Sequence, residues 1–324
     1  MNRKKFLSNI TFAGIGISSL GITACNNQAK KRIVSSAAKN PFFKISLAQW
    51  SINRMIKNGD ISPYKFAELA KKWGFEGIEY VNTLYEDVMN SSNKSSALKN
   101  FIIKNNQLAN QYDIKNLLIM IDEEGDLSSG DKNTRLLAIE NHKPWVEAAS
   151  EMGCHSIRVN LHGSINKVES WKASSKDSLS ILSDYASNYN INIIVENHGG
   201  YSSDADLLID VINDVNKINC GTLPDFGNFC ISKKWGAAND ECDKEYDRYL
   251  GVKKLMSKAF AVSAKSYDFS LEGNEKTIDY VKMLNIVKEA NYSGYIGVEY
   301  EGSILTEEAG TIATRDLLLK HNKS

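Results

Sequence analysis

The sequence predicts a single (β/α)8 barrel of the TIM type, and three observations carry that prediction. Between residue 43 and the end of the 324-residue chain, short apolar runs alternate eight times with segments of helical periodicity. The units recur about every 30 to 40 residues, the spacing of strand–helix pairs. Nearly every apolar run ends in carboxylates, amides or imidazoles, as barrel strands do where their carboxyl ends share one mouth. The first run leads into Gln49-Trp50-Ser51-Ile52-Asn53, without the G-x-G-x-x-G that a doubly wound nucleotide-binding sheet places there.

In chain order, residues 44–49 (Lys-Ile-Ser-Leu-Ala-Gln) read as the first strand. A helix over 63–73 follows, with Ser62 as N-cap, Pro63 at its first position and Phe66, Leu69, Ala70 and Trp73 as its apolar stripe. The second strand, 77–81, ends near Glu79, Tyr80 and Asn82, and a helix over 95–111 carries Leu98, Phe101, Ile102 and Leu108 on one side. The third, 116–121, runs into Asp122-Glu123-Glu124-Gly125 and precedes a long helix over 134–152. The fourth, 156–159, is tipped by Asn160, His162 and Gly163, with a helix over 176–189 behind it.

The fifth strand has the sharpest signature, Ile191-Asn-Ile-Ile-Val-Glu-Asn-His-Gly-Gly200. Its β-branched run suits a strand buried on both faces, and it stops at a carboxylate, an amide and an imidazole. A helix over 205–217 repeats Leu208, Val211, Ile212 and Val215 on one face. The sixth strand, 220–223, is tipped by Pro224-Asp225-Phe226-Gly227-Asn228 and followed by a short helix over 246–256. The seventh, 259–264, is tipped by Lys265, Tyr267 and Asp268 and followed by a helix over 277–289. The eighth, 295–298, is tipped by Glu299-Tyr300-Glu301-Gly302, and a helix over 306–320 closes the chain.

Composition narrows the function classes. The chain has 39 basic and 39 acidic residues and no basic block after its N-terminus, which argues against a nucleic-acid surface. Residues 1–24 read as a lipoprotein signal peptide: a basic start, a long apolar stretch, then Leu20-Gly21-Ile22-Thr23-Ala24-Cys25. Cys25 is the expected lipidation site, 25–42 a polar tether and 43–324 the barrel, so we expect an exported protein anchored by lipid on the periplasmic side of a membrane. Cys154, Cys220, Cys230 and Cys242 lack C-x-x-C spacing. Export permits disulfides, but a domain of this size does not need them, and free buried thiols are expected.

A barrel would bring the polar tips together. Several carboxylates at one mouth repel each other and lose solvation, and a divalent cation relieves both costs. Oxygen-rich clusters suit Mg²⁺ or Mn²⁺, and imidazole admits Zn²⁺. Substrate-facing candidates are Glu79, His162, His198 and Asn228, with Trp50 as a sugar-stacking platform. His142, His155 and His321 are read as structural.

Three motifs, Val-Glu-Asn-His-Gly-Gly (195–200), Pro-Asp-Phe-Gly-Asn-Phe (224–229) and Val-Glu-Tyr-Glu-Gly (298–302), resemble those of the xylose-isomerase-like barrel superfamily. The resemblance runs from about Lys44 to the C-terminus. It implies a sugar isomerase or epimerase with one divalent metal (Mn²⁺, Mg²⁺ or Zn²⁺) bound by Glu196, Asp225 and Glu299, the two glutamates also moving the proton. This chain departs at the fourth ligand: Ser263 stands where the family pattern has His or Gln. His198 and Lys265, each two residues along its strand from Glu196 and Ser263, are the candidates to fill that gap, and Lys265 joins the catalytic set as a charge partner.

The expected reaction is proton transfer next to a carbonyl on a small-molecule carbohydrate. The alternatives are β-elimination from a 3-keto-glycoside, which some relatives carry out, and a sugar-binding lipoprotein without catalysis. An endonuclease IV-like activity needs a histidine-rich three-metal site, and this chain has 5 His.

Overall fold

The structure is a computed structural model that describes residues 41–162, 167–236 and 242–322. The leader, the lipidation site Cys25, the tether up to residue 40 and Gly163 lie outside the described residues. Eight strands pair in parallel: β1 (Lys44–Ala48), β2 (Gly77–Val81), β3 (Lys115–Met120), β4 (Ser156–Val159), β5 (Asn192–Glu196), β6 (Cys220–Leu223), β7 (Val262–Ser266) and β8 (Tyr295–Tyr300). The ladder runs β6-β5-β4-β3-β2-β1-β8-β7. β6 and β7 meet through isolated parallel bridges, Thr222 with Ala259 and Asp225 with Ser263. Pro224 lies at that seam and has no N–H, so a regular ladder cannot run through it.

Among the described residues, eight longer helices complete the strand–helix units, α1 (Phe66–Lys72), α2 (Lys94–Gln111), α3 (Lys132–Glu151), α4 (Val168–Ser187), α5 (Ala205–Val215), α6 (Arg248–Leu255), α7 (Tyr280–Glu289) and α8 (Glu307–His321), and two short helices, Asn53–Lys57 and Glu86–Met89, lie in the connections after β1 and β2. Asp131, Asp204, Asp247 and Asp279 each accept a backbone N–H at the start of α3, α5, α6 and α7. Strands sandwiched between helices and barrel interior have no wet face, which is why β5 needs Ile193, Ile194 and Val195, all fully buried. The predicted stripe of α5 is likewise buried at Leu208, Val211, Ile212 and Val215. The fold is a single-domain TIM barrel, as predicted.

Several expectations need correction. α4 begins at Val168 rather than 176. Its buried face is Trp171, Ser174, Ser175, Ser178, Leu179 and Leu182, and serines in half of that stripe hide the hydrophobic period. β7 spans Val262–Ser266 rather than 259–264, so Lys265 belongs to the strand itself. The free-thiol expectation fails for one pair: Cys230 and Cys242, twelve residues apart, form a disulfide, while Cys154 and Cys220 are free and buried. Cys230 and Ile231 run antiparallel to Lys244 and Glu245, with Ile231 N–H donating to Lys244 O at 2.8 Å, and this pairing lies beside the disulfide.

Candidate active site

The inward-facing residues at the carboxyl ends of the strands form two polar levels. In the lower, Ser46 of β1 donates to Glu79 Oε1 of β2 at 2.6 Å. A Cβ on Gly297 of β8 would lie 2.6 Å from both Glu79 oxygens, so only glycine leaves room for this carboxyl. Glu79 Oε2 has no hydrogen-bond partner, and burial pushes the group up to about 8.

Above it, Glu196, Asp225 and Glu299 converge, each offering an oxygen within 4.8 Å of the others. All three are at most 4% exposed. Asp225 is the most firmly held. Its Oδ1 accepts the backbone N–H groups of Gly227 and Asn228, each at 2.8 Å, and its Oδ2 accepts from Ser263 at 2.6 Å. Asn197 fixes the same loop, accepting from Asp225 N–H and donating to the carbonyls of Asp225 and Asn228.

Two buried cations serve these carboxylates. Lys265, 1% exposed, donates to Glu299 Oε1 at 2.6 Å and to Glu301 Oε1 at 3.0 Å and stands 3.9 Å from Asp225 Oδ2. Arg158 of β4 donates to Asp122 Oδ1 at 2.6 Å. Its Nε lies 2.9 Å from Glu196 Oε2 without hydrogen-bond alignment, so that attraction is coulombic. Asn228 donates to the other oxygen of Glu196 at 3.0 Å.

These contacts set the carboxylates apart. Burial drives Glu196 upward against the pull of Arg158, and Glu299 adds to the rise. Burial also raises Asp225, with Lys265 opposing. Glu299 suffers the same burial, but the Lys265 ammonium outweighs it and holds the group below the ordinary carboxylate range. Two cations thus leave part of the cluster's charge uncompensated. A cluster of buried carboxylate oxygens is consistent with a divalent-metal site.

A cavity of about 570 Å³ opens over this cluster, lined among others by Trp50, Asp122, Arg158, His198, Asn228 and Glu299. Its volume falls within the ~300–1,000 Å³ typical of small-molecule sites.

The model of the family described as "Xylose isomerase-like TIM barrel" matches residues 67–321. The chain belongs to that family. No curated protein matches it by sequence. Among solved structures, a D-tagatose 3-epimerase-like protein superposes with a TM-score of 0.64 at 18% identity, covering 86% of this chain and 97% of that one. An IOLI protein with a bound zinc atom gives a TM-score of 0.60 at 19% identity over 86% and 98% of the two chains. The 3-keto-D-glucoside 4-epimerase YcjR from E. coli gives 0.60 at 16% identity over 78% and 93%. At such identities these likenesses show the fold.

Within this xylose isomerase-like barrel, the residues singled out from sequence separate by position. Glu196, Asp225, Glu299 and Lys265 form one cluster, and Ser263 contacts two of them, Asp225 at 2.6 Å and Glu299 at 3.1 Å. His198 lines the cavity with Nε2 3.8 Å from Glu196 Oε1, and it is not in the converging trio of possible ligands. Burial, with Arg158 and Lys265 nearby, lowers it to about 4, so its imidazole is neutral at pH 7. Asn228 and Trp50 line the cavity as well. Glu79 lies in the level beneath, and half-buried His162 packs against the Trp235 ring at 4.9 Å.

Sequence reasoning passed over Arg158 and Trp235. An arginine inside a four-residue apolar strand is a detectable sign of an inward charge, since Ser156, Arg158 and Asn160 share one face. The sign for Trp235 was a tryptophan bracketed by two cysteines, legible only once their bond is known.

Proposed function

We propose that this protein is a sugar isomerase or epimerase that moves a proton next to a carbonyl, assisted by one divalent metal ion, Mn²⁺, Mg²⁺ or Zn²⁺. The convergence of Glu196, Asp225 and Glu299 in a buried mouth carries the reading. The donor chemistry fits such an ion: three carboxylates supply oxygen, and burial has driven two of them toward protonation for want of positive charge. Glu196, Asp225 and Glu299 would hold the ion, which when bound stabilises negative charge developing on a substrate oxygen.

The chain's own groups account for the proton. Asp225, immobilised by two backbone N–H groups and Ser263, is a fixed support. Glu299, kept ionised by Lys265, is suited to take the C–H proton, whose electron pair moves toward the carbonyl to give an enediolate. Glu196, pushed toward its protonated form, is suited to return a proton to the opposite face. Their roles exchange in the reverse direction. Asn228 and Arg158 orient Glu196, and His198, neutral at pH 7, offers a hydrogen bond to a substrate hydroxyl.

The leader and Cys25 support an exported, lipid-anchored protein, and the Cys230–Cys242 disulfide favours the same oxidising side of the membrane. There the substrate would be a free sugar or glycoside rather than a sugar phosphate. The likeness to YcjR, a 3-keto-D-glucoside 4-epimerase, brings 3-keto-glycosides into the substrate class. A second reading is that proton abstraction beside such a 3-keto group expels the aglycone instead of inverting a centre.

Metal-loaded protein assayed on ketoses and 3-keto-glycosides separates these readings, because an epimer keeps every atom and elimination frees the aglycone. Glu196→Gln and Glu299→Gln should each lose roughly 10²–10⁴-fold in kcat. Sugar binding without turnover in the wild type would instead identify a binding protein.

A further inference from the structure

The proposed chemistry leaves one large side chain at the mouth unused. Trp235 lines the same cavity as Trp50, yet it is 42% exposed. Burying an indole in the core cannot be the reason for its presence, because it is not buried. It sits edge-to-face against His198 at 5.2 Å and His162 at 4.9 Å.

The segment bearing Trp235 is built to hold it there. The Cys230–Cys242 disulfide closes the base. Cys230 N–H donates to Gly236 O at 3.1 Å, just beyond the tryptophan. The segment then interlocks with the loop after β5. Gly200 N–H donates to Lys233 O at 2.8 Å. A Cβ on Gly199 would fall 2.0 Å from Lys234 O, and one on Gly236 would fall 2.6 Å from Gly199 N. Both glycines have positive φ, +102° and +68°, so this backbone-to-backbone approach depends on glycine at each. The exposed ammonium groups of Lys57 and Lys234 stand 4.0 Å and 4.7 Å from the rings of Trp50 and Trp235, and a ligand can displace either.

We infer that Trp235 is a second stacking wall, held by the disulfide and the glycine interlock, and that the site takes a glycoside whose aglycone is a ring. Trp50 and the carboxylate cluster receive the reacting sugar, and Trp235 receives the ring attached to it. A flat indole face suits the apolar face of a pyranose or an aromatic aglycone. This assignment rests on the proposed sugar chemistry and narrows its substrate class.

The test uses the whole barrel and calorimetric Kd values for phenyl α- and β-glucosides and galactosides against the matching free sugars. Wild-type protein should favour at least one phenyl glycoside by about tenfold, the scale of a single aromatic contact. Trp235→Ala should abolish that preference, and Trp235→Phe should retain most of it. Reducing the disulfide, or Cys230→Ser with Cys242→Ser, should match the alanine variant. Sugar turnover that persists with a Kd ratio unchanged in Trp235→Ala overturns the stacking wall and leaves the proposed chemistry standing. Wild-type protein that binds neither these sugars nor these glycosides also overturns the stacking wall, while turnover of ketoses or 3-keto-glycosides decides the proposed chemistry separately.

Discussion

Lys265 shows most directly how one residue balances the site. It is buried with Glu299, Glu301 and Asp225 around it, and among the described residues it is the cation that pairs directly with Glu299, with Arg158 acting from farther off. Removing one partner of a buried ion pair strands the other, so Lys265→Met should cost roughly 3–5 kcal/mol in urea unfolding at pH 7. A cost below about 1 kcal/mol would mean that solvent or a bound cation already serves those carboxylates. Away from the site, buried His142 donates its Nδ1–H to Ala138 O at 2.7 Å, and burial lowers it to about 4 from 6.5. Folding favours its neutral form. Its contribution is therefore complete above pH 6.5 and declines as the pH falls from 6.5 through 4, by roughly 3 kcal/mol in all. His142→Gln should flatten the stability profile in that window relative to wild type, and an unchanged difference between pH 7 and pH 4.5 would contradict this. Residues differ in how openly the sequence declares them. Lys265 is visible because a strand alternates with period two, which puts it on the face of Ser263. The partners of Arg158 come from the loop after β3 and from β5, and no local pattern states that pairing.

At the scale of elements, the sequence is clearest where one face is uniformly apolar, as in α5, and least clear where serine replaces leucine on the buried side, as in α4. Capping follows simple rules. Asp204 accepts from Asp206 N–H at 3.1 Å and Leu207 N–H at 3.3 Å, so Asp204→Ala should lower stability by about 1 kcal/mol in thermal or urea melts. Loops escape this logic because their positions depend on other loops. Gly199 is set by Lys234 and Gly236, and nothing in 195–200 alone announces it. Gly199→Ala is both strained at φ +102° and blocked by the Lys234 carbonyl. It should shift the Trp235 segment and weaken glycoside binding with little change in the far-ultraviolet circular dichroism of the barrel.

For the whole molecule, eight alternating units were enough to predict the barrel, because parallel strands linked by helices have few ways to bury both faces of the sheet. The convergence of three carboxylates at the carboxyl ends of β5, β6 and β8 then follows from closure, which a linear sequence implies only after the fold is chosen. The disulfide was not foreseen, since pairing is a property of the folded path. The central claim is that Glu196 and Glu299 exchange a substrate C–H proton at this closed mouth. Its most direct test is solvent exchange: metal-loaded protein in D₂O with ketoses and 3-keto-glycosides, followed by NMR at the carbon next to the carbonyl. Deuterium should enter at that carbon with wild-type protein and fall at least a hundredfold in rate with Glu299→Gln. No deuterium entry into any of these sugars, or entry at an undiminished rate with Glu299→Gln, would contradict the account.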